Sequence, residues 1–411
     1  MALSNRLPNG GTGRQLAEAI ARDAYGQLVA FLASETRDVA AAEDALSEAF
    51  AAALKHWDTH AVPKNPRGWL IGVARRRLID RARHNNVRDS HAAEARQLAI
   101  IDCMDRPDLP DRRLSLMFVC AHPAIAPAIR APLMLQTLLG LPVDRIASAF
   151  LVQPATMAQR LVRAKAKMKS ATIRFAMPSP DALTDRLPAV LDAIYAAYGI
   201  GWTDAADGAD IRSGHSAEAM FLGQLVATQL DHEPEALGLV ALMFHAEARR
   251  AARVQNNAYV PLEEQDPFLW DDALIMAAEH ALSRASSLGK IGRYQLEAAI
   301  QSAFAQKKRG KPVDWDAIAR FSDALVTLTR SPVAITNHAA ALLKTGDLES
   351  ARIALDIAAA DPRMATYQPY WATRTALCRR AGDSVGQRAA MQHAISLCRD
   401  PAVGVWLEKQ R

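Results

Sequence analysis

The chain has 411 residues, half of them hydrophobic, with 49 Lys+Arg against 44 Asp+Glu and a formal net charge of +5. That length holds two or three domains, and no apolar run approaches the ~20 residues a bilayer span needs, so no membrane role is expected. The four cysteines (Cys103, Cys120, Cys378, Cys398) lie far apart without a CxxC pair, which points to reduced thiols in a cytoplasmic protein rather than a disulfide scaffold.

The first residues, MALSNRLPNGGTG, have no apolar signal core, and residues 1–15 read as a disordered tail. A first helical domain is expected over 16–86. Within it Val39–Leu54 is an alanine-rich amphipathic helix that presents Asp44 and Glu48 four residues apart. A loop containing Lys64 and Asn65, punctuated by Pro63 and Pro66, leads into Trp69–His84. That segment sets Arg75, Arg76, Arg77, Arg81 and Arg83 against one acid, Asp80, with Leu70, Val73, Ala74 and Leu78 as its buried stripe. Residues 87–113 are charged and contain Pro107 and Pro110, so they read as a linker. Roughly 26 extended residues reach about 85 Å, enough to let two domains meet DNA elements two helical turns, about 70 Å, apart.

Residues 114–172 form the second expected helical domain, and its end is the most specific signal in the chain. Val143–Lys169 reads as a short helix, a turn at Leu151-Val152-Gln153, and a second helix opened by Pro154. Proline suits the first helical position, where its missing N–H has no intrahelical acceptor anyway. Met157, Leu161, Ala164 and Met168 recur at three- and four-residue spacing and predict an inward stripe. Gln159, Arg160, Arg163 and Lys167 fall on the other side, a face that suits a DNA major groove or, as the plainer alternative, a solvated helix surface.

In that order, AAEDALSEAFAAALKHW, NPRGWLIGVARRRLIDRAR and LPVDRIASAFLVQPATMAQRLVRAKAKM closely resemble the extracytoplasmic-function (ECF) sigma factors, bacterial sigma-70-class proteins that keep only regions 2 and 4. The resemblance covers about the first 172 residues. It continues through YAAYGIGW, GLVALMFHAEARRAARV, PLEEQDPFLWDDALI and GRYQLEAAIQSAFA into an ECF subgroup with a C-terminal tetratricopeptide-like extension. It implies that residues 16–86 are region 2 and 114–172 region 4, and that the protein joins core RNA polymerase and directs it to promoter DNA. Asp44, Glu48 and Trp57 would dock on polymerase. Lys64, Asn65, Trp69 and the arginines 75, 76, 77, 81 and 83 would meet the melting upstream element. Region 4 would read the distal element with Thr156, Gln159, Arg160 and Arg163, while Lys165 and Lys167 would mostly hold phosphates. The extension would take part in control. A helix–turn–helix activator with a repeat-type sensor is the alternative.

Met177–Pro180 (MPSP) marks a second boundary within 173–184, and residues 185–411 have helical periodicity almost throughout. Val333–Asp361 and Tyr370–Asp400 read as related helical hairpins with Gly346-Asp347 and Gly382-Asp383 in their turns, 36 residues apart. That spacing is close to a ~34-residue tetratricopeptide period, and the expected fold is all-α. Residues 1–172 hold 24 Lys+Arg and 16 Asp+Glu, a net of +8, which leaves −3 for the remainder. Such a split suits nucleic acid at the front and protein contacts, within the chain or with a partner, at the back.

No phosphate loop, GxSxG elbow or HExxH motif is present, so neither catalysis, a cofactor nor a metal is expected. Cys120 with His122, and the acids of PLEEQDPFLWDD, are weak metal candidates. Asp266 and Asp271 there read better as helix caps, and His245 as a packed histidine.

Overall fold

The computed structural model describes residues 13–57, 60, 62–85, 111–150, 152–171, 173, 175–206, 214–256, 258–398 and 400–410, without side chains at 82–85 and 203–206. The expected linker at 87–113 therefore lies mostly outside the described residues, as do Leu151, Cys103, the Arg83 side chain and most of the expected tail. The fold is all-α, relieved by a two-residue antiparallel hairpin of β1 (Val254–Gln255) and β2 (Ala258–Tyr259).

Two compact units divide the chain, Met1–Ala197 and Tyr198–Arg411. The first holds α1 (Gly13–Thr36), α2 (Val39–His56), α3 (Pro66–Asn85), α4 (Arg113–Cys120), α5 (Pro127–Leu139), α6 (Val143–Ala149) and α7 (Pro154–Ser170). Each start has a local cause. Asp38 caps α2 by accepting from Ala41 N at 3.0 Å, a device worth about 1 kcal/mol. Asn65 does the same for α3 through Gly68 N at 2.9 Å, with Pro66 at the first helical position. Gly140, at φ 61°, ends α5 in the left-handed conformation that glycine adopts without a side-chain clash.

The stretches read as separate domains share this unit. Helix α1 packs on α2 and α3, and also on α4 and α5. Gly26 of α1 faces the Leu138 backbone so closely that an added β-carbon would fall far inside contact distance of the carbonyl oxygen. Leu28, Leu32, Leu46, Leu70, Phe118, Leu133 and Leu135 are fully or almost fully buried.

Helix α8 (Pro180–Ala206) begins within the expected 173–184 boundary. Its first half belongs to the first unit, because Arg130 reaches the Asp185 carbonyl and Arg186 the Phe118 carbonyl, both at 3.4 Å.

The second unit contains α9 (Gly214–Gln229), α10 (Pro234–Ala248), the β hairpin, α11 (Asp272–Ser287), α12 (Arg293–Ala305), α13 (Trp315–Thr329), α14 (Pro332–Thr345), α15 (Leu348–Ala359), α16 (Gln368–Arg380), α17 (Ser384–Ser396) and α18 (Pro401–Lys409). Helix α10 is buried nearly all round, against α11 and α12. Both expected hairpin turns are formed alike. Gly346 (φ 94°) ends α14 and Asp347 caps α15; Gly382 (φ 75°) follows α16 and Asp383 caps α17. Small residues let the hairpin helices approach, with Ala339, Ala351, Ala358 and Ala394 wholly buried.

Candidate nucleic-acid interface

Helices α6 and α7 form the helix–turn–helix at the predicted bounds. Met157, Leu161, Ala164 and Met168 are the buried side of α7. Thr156, Gln159, Arg160, Arg163 and Lys167 are exposed on one flank. Val162, an apolar residue 68% exposed, is a further surface side chain of α7, three residues before Lys165 and so toward the other flank.

The other flank of α7 is occupied. Lys165, expected to be exposed, is mostly covered and sits 2.7 Å from Glu43 of α2, whose side chain is only 9% exposed. Lys169 lies 3.1 Å from Asp38. Burial pushes the Glu43 carboxyl above its ordinary range, and the Lys165 ammonium opposes that shift. On an α-helix Lys165 and Lys169 lie one turn apart on the same side, so both cations of this flank face the same acidic helix.

Region-2-like residues divide into three groups. The exposed acids of α2 and arginines of α3 pair with one another: Arg81 with Glu48 at 2.6 Å and with Asp44 at 3.3 Å, Arg77 with Glu48 at 3.3 Å. Such surface pairs are worth about 0–1 kcal/mol, so either partner is easily given up to another molecule. Arg76 and Lys64 are exposed, as is Arg67, a further cation at the start of α3 that the sequence reading left out. Arg75 departs from the expected solvated face. It is 7% exposed, paired with Glu35 of α1 and stacked over Phe31 at 5.2 Å.

Trp57 is likewise 3% exposed and packed against Trp69 at 5.4 Å, so it offers no surface for polymerase and acts by holding α2 to α3. Trp69 stays partly accessible and stacks on His56. Asn65 spends its side-chain oxygen on the α3 cap.

The minor candidates are occupied structurally. Cys120 is buried 3.6 Å from Thr137 Oγ1, its thiol pushed up to about 12 by burial, while His122 Nδ1 accepts from Ala124 N. Asp266 and Asp271 cap their helices through Phe268 N and Leu274 N. His245 is 1% exposed, and burial lowers it to about 3, so it is neutral. Among the described residues no three His, Cys, Asp or Glu side chains gather as a metal site requires, and no helix is long and apolar enough to cross a membrane.

Residues 20–88 match the sigma-70 region 2 family. That match supports a sigma-70-class role in transcription initiation, through core RNA polymerase and promoter DNA. Residues 186–286 match a family of unknown function, DUF6596. An uncharacterized protein of Rhizobium meliloti (strain 1021) is 32% identical over 385 residues, spanning 91% of this chain and 90% of its own length, and the chain belongs to the same family as that protein. No solved structure matches it.

Proposed function

We propose that the protein is an ECF-type sigma factor whose α6–α7 domain serves as region 4 and whose second unit, a tetratricopeptide-like extension, regulates it. The observation that carries this is the pairing of a region 2 match with an open basic reading face on α7. Thr156, Gln159, Arg160 and Arg163 read base edges, and Lys167 contacts phosphate. Asp44 and Glu48 meet polymerase; Lys64, Arg76, Arg77 and Arg81 meet the upstream element, Trp69 offering a partly exposed ring for a base leaving the stack. Lys165 and Lys169, in this reading, hold region 4 against region 2 in the resting protein, and reading two elements about 70 Å apart requires that the regions separate.

Core polymerase supplemented with the purified protein is expected to initiate specifically in run-off transcription from a cognate promoter. Specific promoter binding of equal strength without polymerase would make it a helix–turn–helix activator instead.

Arg160→Ala and Arg163→Ala are each expected to cost about 1–3 kcal/mol of promoter binding and to relax preference at one base pair. Lys167→Ala should weaken all sequences alike and reduce the salt slope. Binding titrations of the holoenzyme on single-base promoter variants check this. A uniform loss from the arginine variants assigns the reading face elsewhere.

A further inference from the structure

Arg249, Arg250 and Arg253 follow the C-terminal end of α10 and gather at one ring pair. Tyr198 and Trp202 lie 5.8 Å apart. Arg250 and Arg253 cover the Trp202 ring at 4.7 and 5.4 Å, and Arg249 stands close enough to Tyr198 for the two to perturb each other's ionisation. The pairing of charges is incomplete. Glu247 holds Arg250 with both oxygens, at 2.7 and 2.6 Å, and also accepts from the Tyr198 hydroxyl. Asp400 holds Arg253 at 3.0 Å. Arg249 donates to the neutral amide oxygen of Gln301.

Among the described residues these three arginines therefore face two carboxylates. Each arginine also keeps one N–H that is shut away from solvent with no acceptor among the described residues: Arg249 Nη1, Arg250 Nη1 and Arg253 Nε. Trp270 Nε1, on the ring 6.0 Å from the Arg249 guanidinium, is a fourth such donor. A buried charge without a counter-charge, and buried donors without acceptors, are both costly. Burial lowers Arg249 only to about 10, so it stays cationic at neutral pH. Water would serve the donors but not the excess charge. A small oxyanion serves both, since guanidinium forks match its geometry and the tryptophan face fixes their planes.

We propose that this cluster binds an oxyanion, a phosphate or carboxylate group, with Arg249 as its central ligand. The side chains of Arg250 and Arg253 are 26% and 22% exposed, which gives the anion its way in past them. Asp400 also caps α18 through Ala402 N and Val403 N, so the occupied site ties the C-terminal helix to α10. The site stands apart from the transcription reading and is tested without polymerase.

The full chain is titrated with sodium phosphate, sodium acetate or sodium chloride at matched ionic strength, by calorimetry and thermal melting. Saturable heat and a raised melting temperature with phosphate, with acetate, or with both, but not with chloride, are expected, and the responding salt identifies the group. Arg249→Gln should weaken binding at least tenfold while melting no lower than the parent in anion-free buffer, because an uncompensated charge has gone. Arg250→Lys, which keeps the Glu247 pair but loses the fork, should weaken it severalfold. Equal response to all three salts, or unchanged binding in both variants, overturns the proposal.

Discussion

Lys165→Met is expected to destabilise the first unit by about 3–5 kcal/mol, the cost of leaving a buried carboxylate without its counter-ion. Glu43 is 7% exposed, and the Lys165 ammonium at 2.7 Å is its ion-pair partner. The converse change, Glu43→Gln, should cost under about 1 kcal/mol, because it removes the desolvation penalty of the buried carboxylate and leaves Lys165, which is itself 21% exposed, to be solvated. The asymmetry depends on pH. Burial raises the Glu43 pKa above its ordinary 4.5, so the folded state binds this proton more tightly than the unfolded chain. The stability from that proton is present in full below the unfolded value and is lost as pH rises through the folded one. Without Lys165 the folded value lies higher still. The deficit of Lys165→Met should thus be largest at neutral pH and shrink on acidification. Denaturant melts of parent and both variants at acid and neutral pH check it; equal losses for the two variants, or a deficit independent of pH, would sink the argument. The Asp38–Lys169 pair, whose lysine is 72% exposed, should matter much less.

Gly26→Val should pry α1 from α5. The added carbon collides with the Leu138 carbonyl in the last turn of α5, and a backbone atom has no rotamer to relieve the overlap. Overpacking of this kind costs about 1–3 kcal/mol or more. Because the collision lies at the seam between α1 and α5, the relief open to the chain is to part those helices while each keeps its own hydrogen bonds. A lower melting temperature, a larger radius of gyration by solution scattering and faster proteolysis between residues 86 and 113 are expected. Under the proposed function the variant still initiates transcription with core polymerase, since the separated arrangement is the working one. A variant as compact and as protease-resistant as the parent would show that α1 and α5 do not meet at Gly26.

Features legible in the sequence share a physical origin: each is decided within a few residues. The stripe Met157–Leu161–Ala164–Met168 follows from helical period alone and is buried as read. Proline at the start of α7, the caps Asp266 and Asp271, and the paired turns at Gly346-Asp347 and Gly382-Asp383 follow from local backbone chemistry. Arg75 shows where this stops. In a run of three arginines it reads as solvated, yet Glu35, 40 residues away, and Phe31, both on α1, take it off the solvated face. The family resemblance implies a partner surface for Trp57, but the Trp69 ring supplied by α3 covers it and leaves it buried.

By itself, then, the sequence determined the all-α class, the helix–turn–helix with its inner and outer sides, and the basic front half, because propensity, period and composition are local or additive properties of the chain. The tertiary structure alone decided which charges are spent inside the molecule. Lys165 and Glu43, or Arg253 and Asp400, are strangers in sequence, and whether each cation faces water, DNA or a carboxylate depends on which helices pack together. That packing rests on close contacts such as Gly26 against Leu138, which no period or composition records.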